Sequence, residues 1–478
     1  YINGCARSTT LKRLRTGLAA ARGQAAQLVQ RATDATAAGG IGPGETRITW
    51  RQRLPQLVTY VGSSASLLIG SVAQLIAFAI LARSLGVEQF GLFLAITAVT
   101  NISVQLCGLG AMEPMVRRVA RDHTAYPQFI GHNIILGLGS GSVVFVALLF
   151  LLPLFMPDHI GADDAFFLTL MFGFTNTFLV RGILLTEQIF LAHSQFTKAN
   201  IAAVSFGVVR ALTAALACFV FSVSSLADWA VWHTLGHAAL FLVCAFAVLP
   251  LGVPKLRIQW DEVRRGLFFS WALICQGLRQ NIDLLILGLV APPAMVGSFG
   301  VARRIADTSY LSVSALNRIT YPRLSIAMEH SIAQGLSISL KVLAAAVLIS
   351  FATGLGVFII APALPLLFGA GYADMVPFLQ AMCWVVVPFS ISSVAAEVLG
   401  ASGHHGIRAI LFNATIIGSA FIGLMTYAFL ATGTIIALYV VEICLACGFW
   451  LAIANLIRRD DLANPSHPSS DGPPPRSM

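Results

Sequence analysis

The sequence predicts an all-α protein that crosses a membrane many times, and three observations carry the prediction. Of 478 residues, 57% are hydrophobic and only 11% charged, with a mean hydropathy of +0.81. A soluble domain would carry about 25% charge. Apolar runs of about 20 residues, the length that spans a bilayer as a helix, recur along the chain. A transmembrane β-barrel would instead show alternating segments of about 10 residues. Lys and Arg outside the runs, finally, fall almost wholly in alternate connections between them.

Taken in order, the chain opens with a basic segment, residues 1–53, holding nine Lys/Arg against Asp34 and Glu45. Leu11, Leu14, Leu18, Ala21, Ala25 and Leu28 form a weak apolar stripe there. The stripe suits a helix lying on an anionic membrane surface; an unstructured extension or an Arg-rich transit peptide fits the same composition. No short apolar core marks a cleavable signal peptide.

Twelve spans are expected after Pro55. Six lie in residues 54–252, at 57–82, 91–111, 129–155, 165–189, 200–221 and 229–251. Six lie in residues 266–457, at 267–290, 294–317, 338–364, 376–399, 407–430 and 432–457. Residues 253–265 link the halves, and the Pro/Ser-rich tail 458–478 is expected to be disordered. With the N-terminus inside, inner segments hold 23 Lys/Arg and outer loops one, Arg83. The positive-inside rule then puts both termini in the cytoplasm. It also accounts for the net charge of +9 without a nucleic-acid partner.

An internal repeat relates the halves. Phe90-Gly91-Leu92-Phe93 aligns with Val296-Gly297-Ser298-Phe299, an offset of 206 residues and six spans. An even number of spans keeps both halves in one orientation, a parallel repeat about an axis normal to the membrane.

Charge inside the spans marks the candidate site, because it costs at least about 2.5–3.5 kcal/mol per group on insertion scales. Gln276, Arg279, Gln280 and Asp283 share one helix face; Gly300, Arg303, Asp307, Tyr310, Ser314 and Asn317 share another. Two adjacent polar stripes are expected to face one water-filled cavity. Arg279 with Asp283, and Arg303 with Asp307, have i,i+4 spacing, so each pair could equally lock helices together without touching a substrate. Arg181 and Arg210 lie in the first half with no acid nearby in sequence, and guanidinium suits phosphate. Glu442, alone in the last span, is a candidate for a coupling ion, or for a pair with an Arg across the bundle. Arg304 is noted as ionisable and given no role, and Lys341 is expected to snorkel.

Other motifs read blandly. His233 and His237 are i,i+4 but lack a third ligand, so interhelical hydrogen bonding is expected rather than a metal. The Gly-rich run 136–142 lacks a following Lys and reads as close helix packing. Seven of eight cysteines lie in apolar spans and read as buried thiols, the CxxC of Cys444 and Cys447 included. No cofactor is expected.

ARSLGVEQFGLF at 82–93, NIDLLILG with VGSFGVARRI across 281–305, and LFGAGYADMVPFL at 367–379 resemble, in that order, segments of the polysaccharide flippases of the multidrug/oligosaccharidyl-lipid/polysaccharide (MOP) exporter superfamily. Tyr is frequent in that family where Phe299 stands. The resemblance spans about residues 55–455. It implies two six-helix lobes, as in MATE transporters, and movement of polyprenyl-pyrophosphate-linked oligosaccharide across the bacterial inner membrane. Expected partners are that lipid-linked oligosaccharide, membrane lipids and other polysaccharide-assembly membrane proteins. The pyrophosphate would be held by Arg181, Arg210, Arg279 and Arg303, with Asp283 and Asp307 beside them. A cation-coupled multidrug antiporter is the alternative on the same architecture, and would call for an acid-lined first lobe. A membrane glycan polymerase or ligase is the enzymatic alternative, and would call for a long outer loop that the sequence lacks.

Overall fold

The computed structural model describes residues 50–156, 160–330 and 332–463. The basic segment and most of the tail, for which a surface helix and disorder are expected, lie outside the described residues. Contact clustering gives two units, 1–58 and 59–478. The described residues of the first, 50–58, are the opening turns of a helix.

Every regular element among the described residues is helical, as a bilayer interior demands of backbone groups that find no water. In chain order these are α1 (Trp50–Leu106), α2 (Met112–Val119), α3 (Tyr126–Leu151), α4 (Ala162–Phe174), α5 (Arg181–Ala192), α6 (Phe196–Ala215) and α7 (Leu226–Val248). The second half holds α8 (Trp260–Val290), α9 (Pro293–His330), α10 (Ile332–Ile360), α11 (Met375–Met382), α12 (Val386–Ala401), α13 (His405–Asn413) and α14 (Thr415–Ala463). A π-helical stretch, Thr175–Val180, joins α4 to α5 into one rod. Nine stretches of the described residues are long and apolar enough to cross a membrane.

Two of the nine are broken rods. α1 turns at Gly86, whose φ of 73° lies in the left-handed region that glycine enters without penalty. α14 turns at Leu430, φ 52°. The expected connections around 83–90 and 430–432 are thus single-residue breaks. α9 is absent from the nine because its polar stripe lowers its hydropathy. It also outruns the expected span, reaching His330, while α8 begins at Trp260 inside the expected linker.

Local chemistry sets several ends. The Ser225 hydroxyl caps α7 by accepting from the Asp228 amide at 3.1 Å and donates to the Asp228 carboxylate at 2.6 Å. Pro293 opens α9, where its missing N–H costs nothing.

The main core runs through both halves. Phe90, Phe93, Phe172, Trp229, Phe299 and Tyr372 are its largest fully or almost fully buried rings. A second core, around Val313, Leu399 and Phe449, lies in the second half. Large apolar side chains such as Phe150, Phe219 and Ile417 remain over 70% exposed, as expected where lipid is the solvent.

The halves meet at two ends. At one, Arg83 donates to the carbonyls of Leu366 and Leu367, at 3.0 and 3.2 Å, and the Tyr372 hydroxyl donates to Ala82 O at 2.9 Å. A Cβ on Gly91 would fall on the Pro293 carbonyl oxygen, and one on Gly297 would fall on that of Val87. At the other end Gly110 lies against the Gly266 carbonyl, and Arg118 pairs with Glu262 at 3.6 Å. Between them, Asn101 donates to Asn281 at 3.3 Å, and Gly288 packs on Ala95.

Three expectations fail here. Of the Gly-rich run, only Gly141 is packed, against Thr177 and Phe178; Gly137 and Gly139 face open space. Cys444 and Cys447 are exposed, because their face of α14 points away from the bundle, whereas Cys107, Cys244, Cys275 and Cys383 are buried. His237 Nδ1 meets the His233 carbonyl of its own helix at 2.7 Å, not a neighbouring helix.

Candidate functional site

The charged residues of the spans sort into two groups with opposite electrostatic character. The first is an ion-pair network between α8, α9 and α14. Arg303 donates through Nε to Asp283 at 2.9 Å and through Nη1 to Asp307 at 2.6 Å. Arg279 donates to Glu442 at 2.7 Å, and Ser392 donates to the other carboxylate oxygen of Glu442 at 3.4 Å. The second oxygen of Asp283 accepts the Leu284 amide at 2.8 Å. Side-chain exposure is 1% for Asp283 and 8% for Glu442, but 26% for Arg279 and 35% for Asp307.

This arrangement keeps one of the two i,i+4 pairs, Arg303 with Asp307, and replaces the other. Arg279 does not pair with Asp283: Arg303, reaching across from α9, takes that carboxylate, and Arg279 turns to Glu442 on α14. Glu442 thus makes the pair with an Arg across the bundle that its sequence position allowed. The charged members of the two polar stripes pair with each other and with α14, each buried charge stabilised by a partner in low dielectric, while Gln276, Gln280 and Ser314 of the same stripes are exposed. Within the ion-pair network Arg279 and Asp307 keep the most open surface. Tyr310 continues the α9 stripe by stacking on Phe389, with centroids 4.2 Å apart. Asn317 ends it by donating to Ser393 at 2.8 Å.

The second set comprises arginines outside those ion pairs: Arg210 and Arg304 lie within electrostatic reach of each other, and neither is among the charge neighbours of Arg181. Arg181, at the start of α5, reaches back to the turn after α1. A Cβ on Gly108 would lie 2.6 Å from its Nη2, so that glycine opens the space the guanidinium fills. The Gly108 amide donates to Ser140 at 2.7 Å and holds the turn. Arg210 on α6 lies over the Phe206 ring, 5.7 Å from its centroid. It is within electrostatic reach of His233, His237 and, from the second half, Arg304. Arg304 hydrogen-bonds Gln74 of α1. Among the described residues, none of Arg181, Arg210 and Arg304 has a carboxylate within ion-pair distance.

The structure thus brings Asp283, Arg303 and Asp307 together as expected, and adds Arg279 and Glu442 to the same network. It leaves Arg181 and Arg210 without acids, as the sequence suggested. Arg304 is the residue the sequence reading passed over. It sits one position from the α9 stripe, about 100° round the helix. Its partner Gln74, a polar residue inside an apolar span, was the available signal.

These guanidinium groups are donors and suit acceptor-rich, negatively charged atoms, whereas the carboxylates of the network already accept from its own arginines. Five charges in the network, two positive and three negative, leave it one negative charge in excess. No group of three or more metal-ligating side chains occurs among the described residues.

Comparison with known proteins bears on the fold and the family. The chain is similar to an inward-facing multidrug resistance MATE family transporter of the MOP superfamily, with a TM-score of 0.64 and 16% identity over 84% of this chain and 100% of that one. It is similar to the lipid II flippase MurJ in an inward closed conformation, with a TM-score of 0.64 and 10% identity over 87% and 94%. A Vibrio cholerae MATE transporter gives 0.56 and 15% over 84% and 97%. At such identities the likeness establishes the fold alone, the one these transporters share. No curated protein matches the chain. Residues 80–377, more than half of the chain, match the family described as "Polysaccharide biosynthesis protein", and the chain belongs to that family.

Proposed function

We propose that this protein is a flippase that moves a polyprenyl-pyrophosphate-linked oligosaccharide across the bacterial inner membrane for surface polysaccharide assembly. The observation that carries the reading is three guanidinium groups, Arg181, Arg210 and Arg304, that among the described residues have no carboxylate within ion-pair distance, Asp307 acting on Arg304 only from farther away. A phosphate crossing hydrocarbon loses its hydration at a cost of several kcal/mol per charge. Preorganised guanidinium groups replace that hydration with bidentate hydrogen bonds. The likeness to MurJ and the polysaccharide family support lipid-linked sugar as cargo, and transport rather than enzymatic chemistry.

Each half of the two broken rods counts as one span, and α9 as another, which makes twelve segments. The distribution of Lys and Arg puts both termini in the cytoplasm, and the Arg83 end outside. The halves 54–252 and 266–457 act as lobes joined by 253–265 and open alternately to either side. Arg279, Asp283, Arg303, Asp307 and Glu442 then serve as the coupling element rather than the pyrophosphate clamp: an incoming cation competes with Arg279 for Glu442, or the surplus negative charge takes up a proton.

The test is charge reversal in a strain lacking the gene. Arg181→Glu and Arg210→Glu, each inserted normally in the membrane, should abolish surface-polysaccharide export. Normal export by both variants would remove the proposed site. Drug resistance conferred by the protein and abolished by an ionophore, without any effect on export, would favour a multidrug antiporter instead.

A further inference from the structure

The connection between the halves is pinned to one helix and exposes an unusual surface. Residues 252–259 are non-helical. The Lys255 amide donates to Pro127 O at 2.7 Å, and the Gln259 amide donates to His132 Nδ1 at 3.1 Å. Gly131 lies so close to the Lys255 carbonyl that a Cβ there would collide with it. From this fixed backbone Val253, Leu256 and Trp260 project outward, 81%, 68% and 73% exposed. Lys255 and Arg257, also exposed, alternate with them.

Beside Trp260 opens a groove of about 650 Å³ between the connection and the turn that joins α2 to α3. Arg118, Arg121, Gln128, Trp260 and Arg264 line it. Its three acids, Asp122, Asp261 and Glu262, equal its three arginines in number, and two of the acids are held by neighbours. Asp122 accepts from the Thr124 amide and hydroxyl, at 2.9 and 2.6 Å, and Glu262 is buried beside Arg118; Asp261 is exposed. Among the described residues, Arg121 and Arg264 have no carboxylate within ion-pair distance.

We infer that this groove binds the headgroup of an anionic phospholipid. Arg121 and Arg264 grip the phosphodiester, and the acyl chains leave past Trp260 and Leu256. Guanidinium supplies the phosphate contacts. The adjoining exposed Trp and aliphatic side chains place the site at the depth of the membrane interface, where a lipid phosphate, not a soluble one, is presented. The inference rests on the membrane reading of the chain and not on its cargo.

The test uses the full chain in nanodiscs of phosphatidylcholine with or without phosphatidylglycerol, with retained lipid counted by native mass spectrometry. The wild-type protein should retain phosphatidylglycerol in preference to phosphatidylcholine. Removing two exposed positive charges anywhere on this surface weakens anionic-lipid attraction by about 25-fold. Lys255→Gln with Arg257→Gln, outside the groove, should show that loss and no more. Arg121→Gln with Arg264→Gln should lose at least about tenfold beyond it, the worth of one charge-assisted hydrogen bond. Equal losses in the two double variants would overturn the site. So would displacement of the lipid by millimolar inorganic phosphate, which would make the groove a soluble-anion site.

Discussion

Gly91 and Gly297 make reciprocal contacts: each sits where a Cβ would strike the carbonyl oxygen of the residue four positions before its counterpart, Pro293 and Val87. The offset of 206 residues that aligns the two glycines also maps Val87 onto Pro293. The two copies of the repeat therefore touch through an approximate twofold axis at the Arg83 end. Backbone packs on backbone there, so no side chain can move aside. Gly91→Ala or Gly297→Ala should destabilise the protein by about 1–3 kcal/mol through overpacking. Gly137→Ala and Gly139→Ala, with nothing near the new methyl, should be neutral or stabilising by up to about 1 kcal/mol. Thermal unfolding in detergent compares the four.

The Arg303 bridge predicts an order of severity. Arg303→Met leaves Asp283 buried without its partner, and breaking such a pair costs about 3–5 kcal/mol. Asp307→Asn, at the more open side, should cost less than about 1 kcal/mol. Equal effects on the unfolding temperature would show that Asp283 does not depend on the bridge.

Arg279 and Glu442 should behave as a coupled pair. Either Arg279→Gln or Glu442→Gln alone strands one charge, whereas the double variant strands none. A double-mutant cycle on unfolding should give an interaction energy of about 0.5–3 kcal/mol, the range for residues in direct contact. Additive single effects would mean that the pair does not form.

Arg304, unassigned from sequence, predicts a functional effect of its own. Arg304→Gln should lower export severely while the unfolding temperature changes little, because no carboxylate is left unpaired. Gln74→Leu, which only frees the guanidinium, should have a milder effect. Export equal to wild type in Arg304→Gln would leave Arg181 and Arg210 as the whole proposed site.

A proton-linked effect is predicted outside the spans. Hydrogen bonds from the Thr124 hydroxyl and amide hold the Asp122 carboxyl below its ordinary value of 3.8. A depressed value means that the ionised carboxylate stabilises the folded turn. The contribution is present above about pH 3.8 and is lost as pH falls through the lowered value. Amide exchange at Thr124 should quicken in that acid range in the wild type and be fast throughout in Asp122→Ala.

The amino-acid sequence determined the helical class, the approximate position of the apolar segments and the like-oriented repeat. These depend on local hydropathy and on glycines whose spacing is visible in the chain. It also singled out Arg181 and Arg210, since an arginine in an apolar run with no acid nearby is conspicuous. Only the tertiary structure decided which charges neutralise one another. The spacing of Arg279 and Asp283 fits a pair within one helix, yet Arg303 reaches Asp283 from α9 and Glu442 reaches Arg279 from 163 residues away. Arg304 found Gln74, 230 residues earlier, in the same way. In low dielectric a buried charge is held by whichever partner lies within a few ångströms, and helix packing, not separation along the chain, sets that distance.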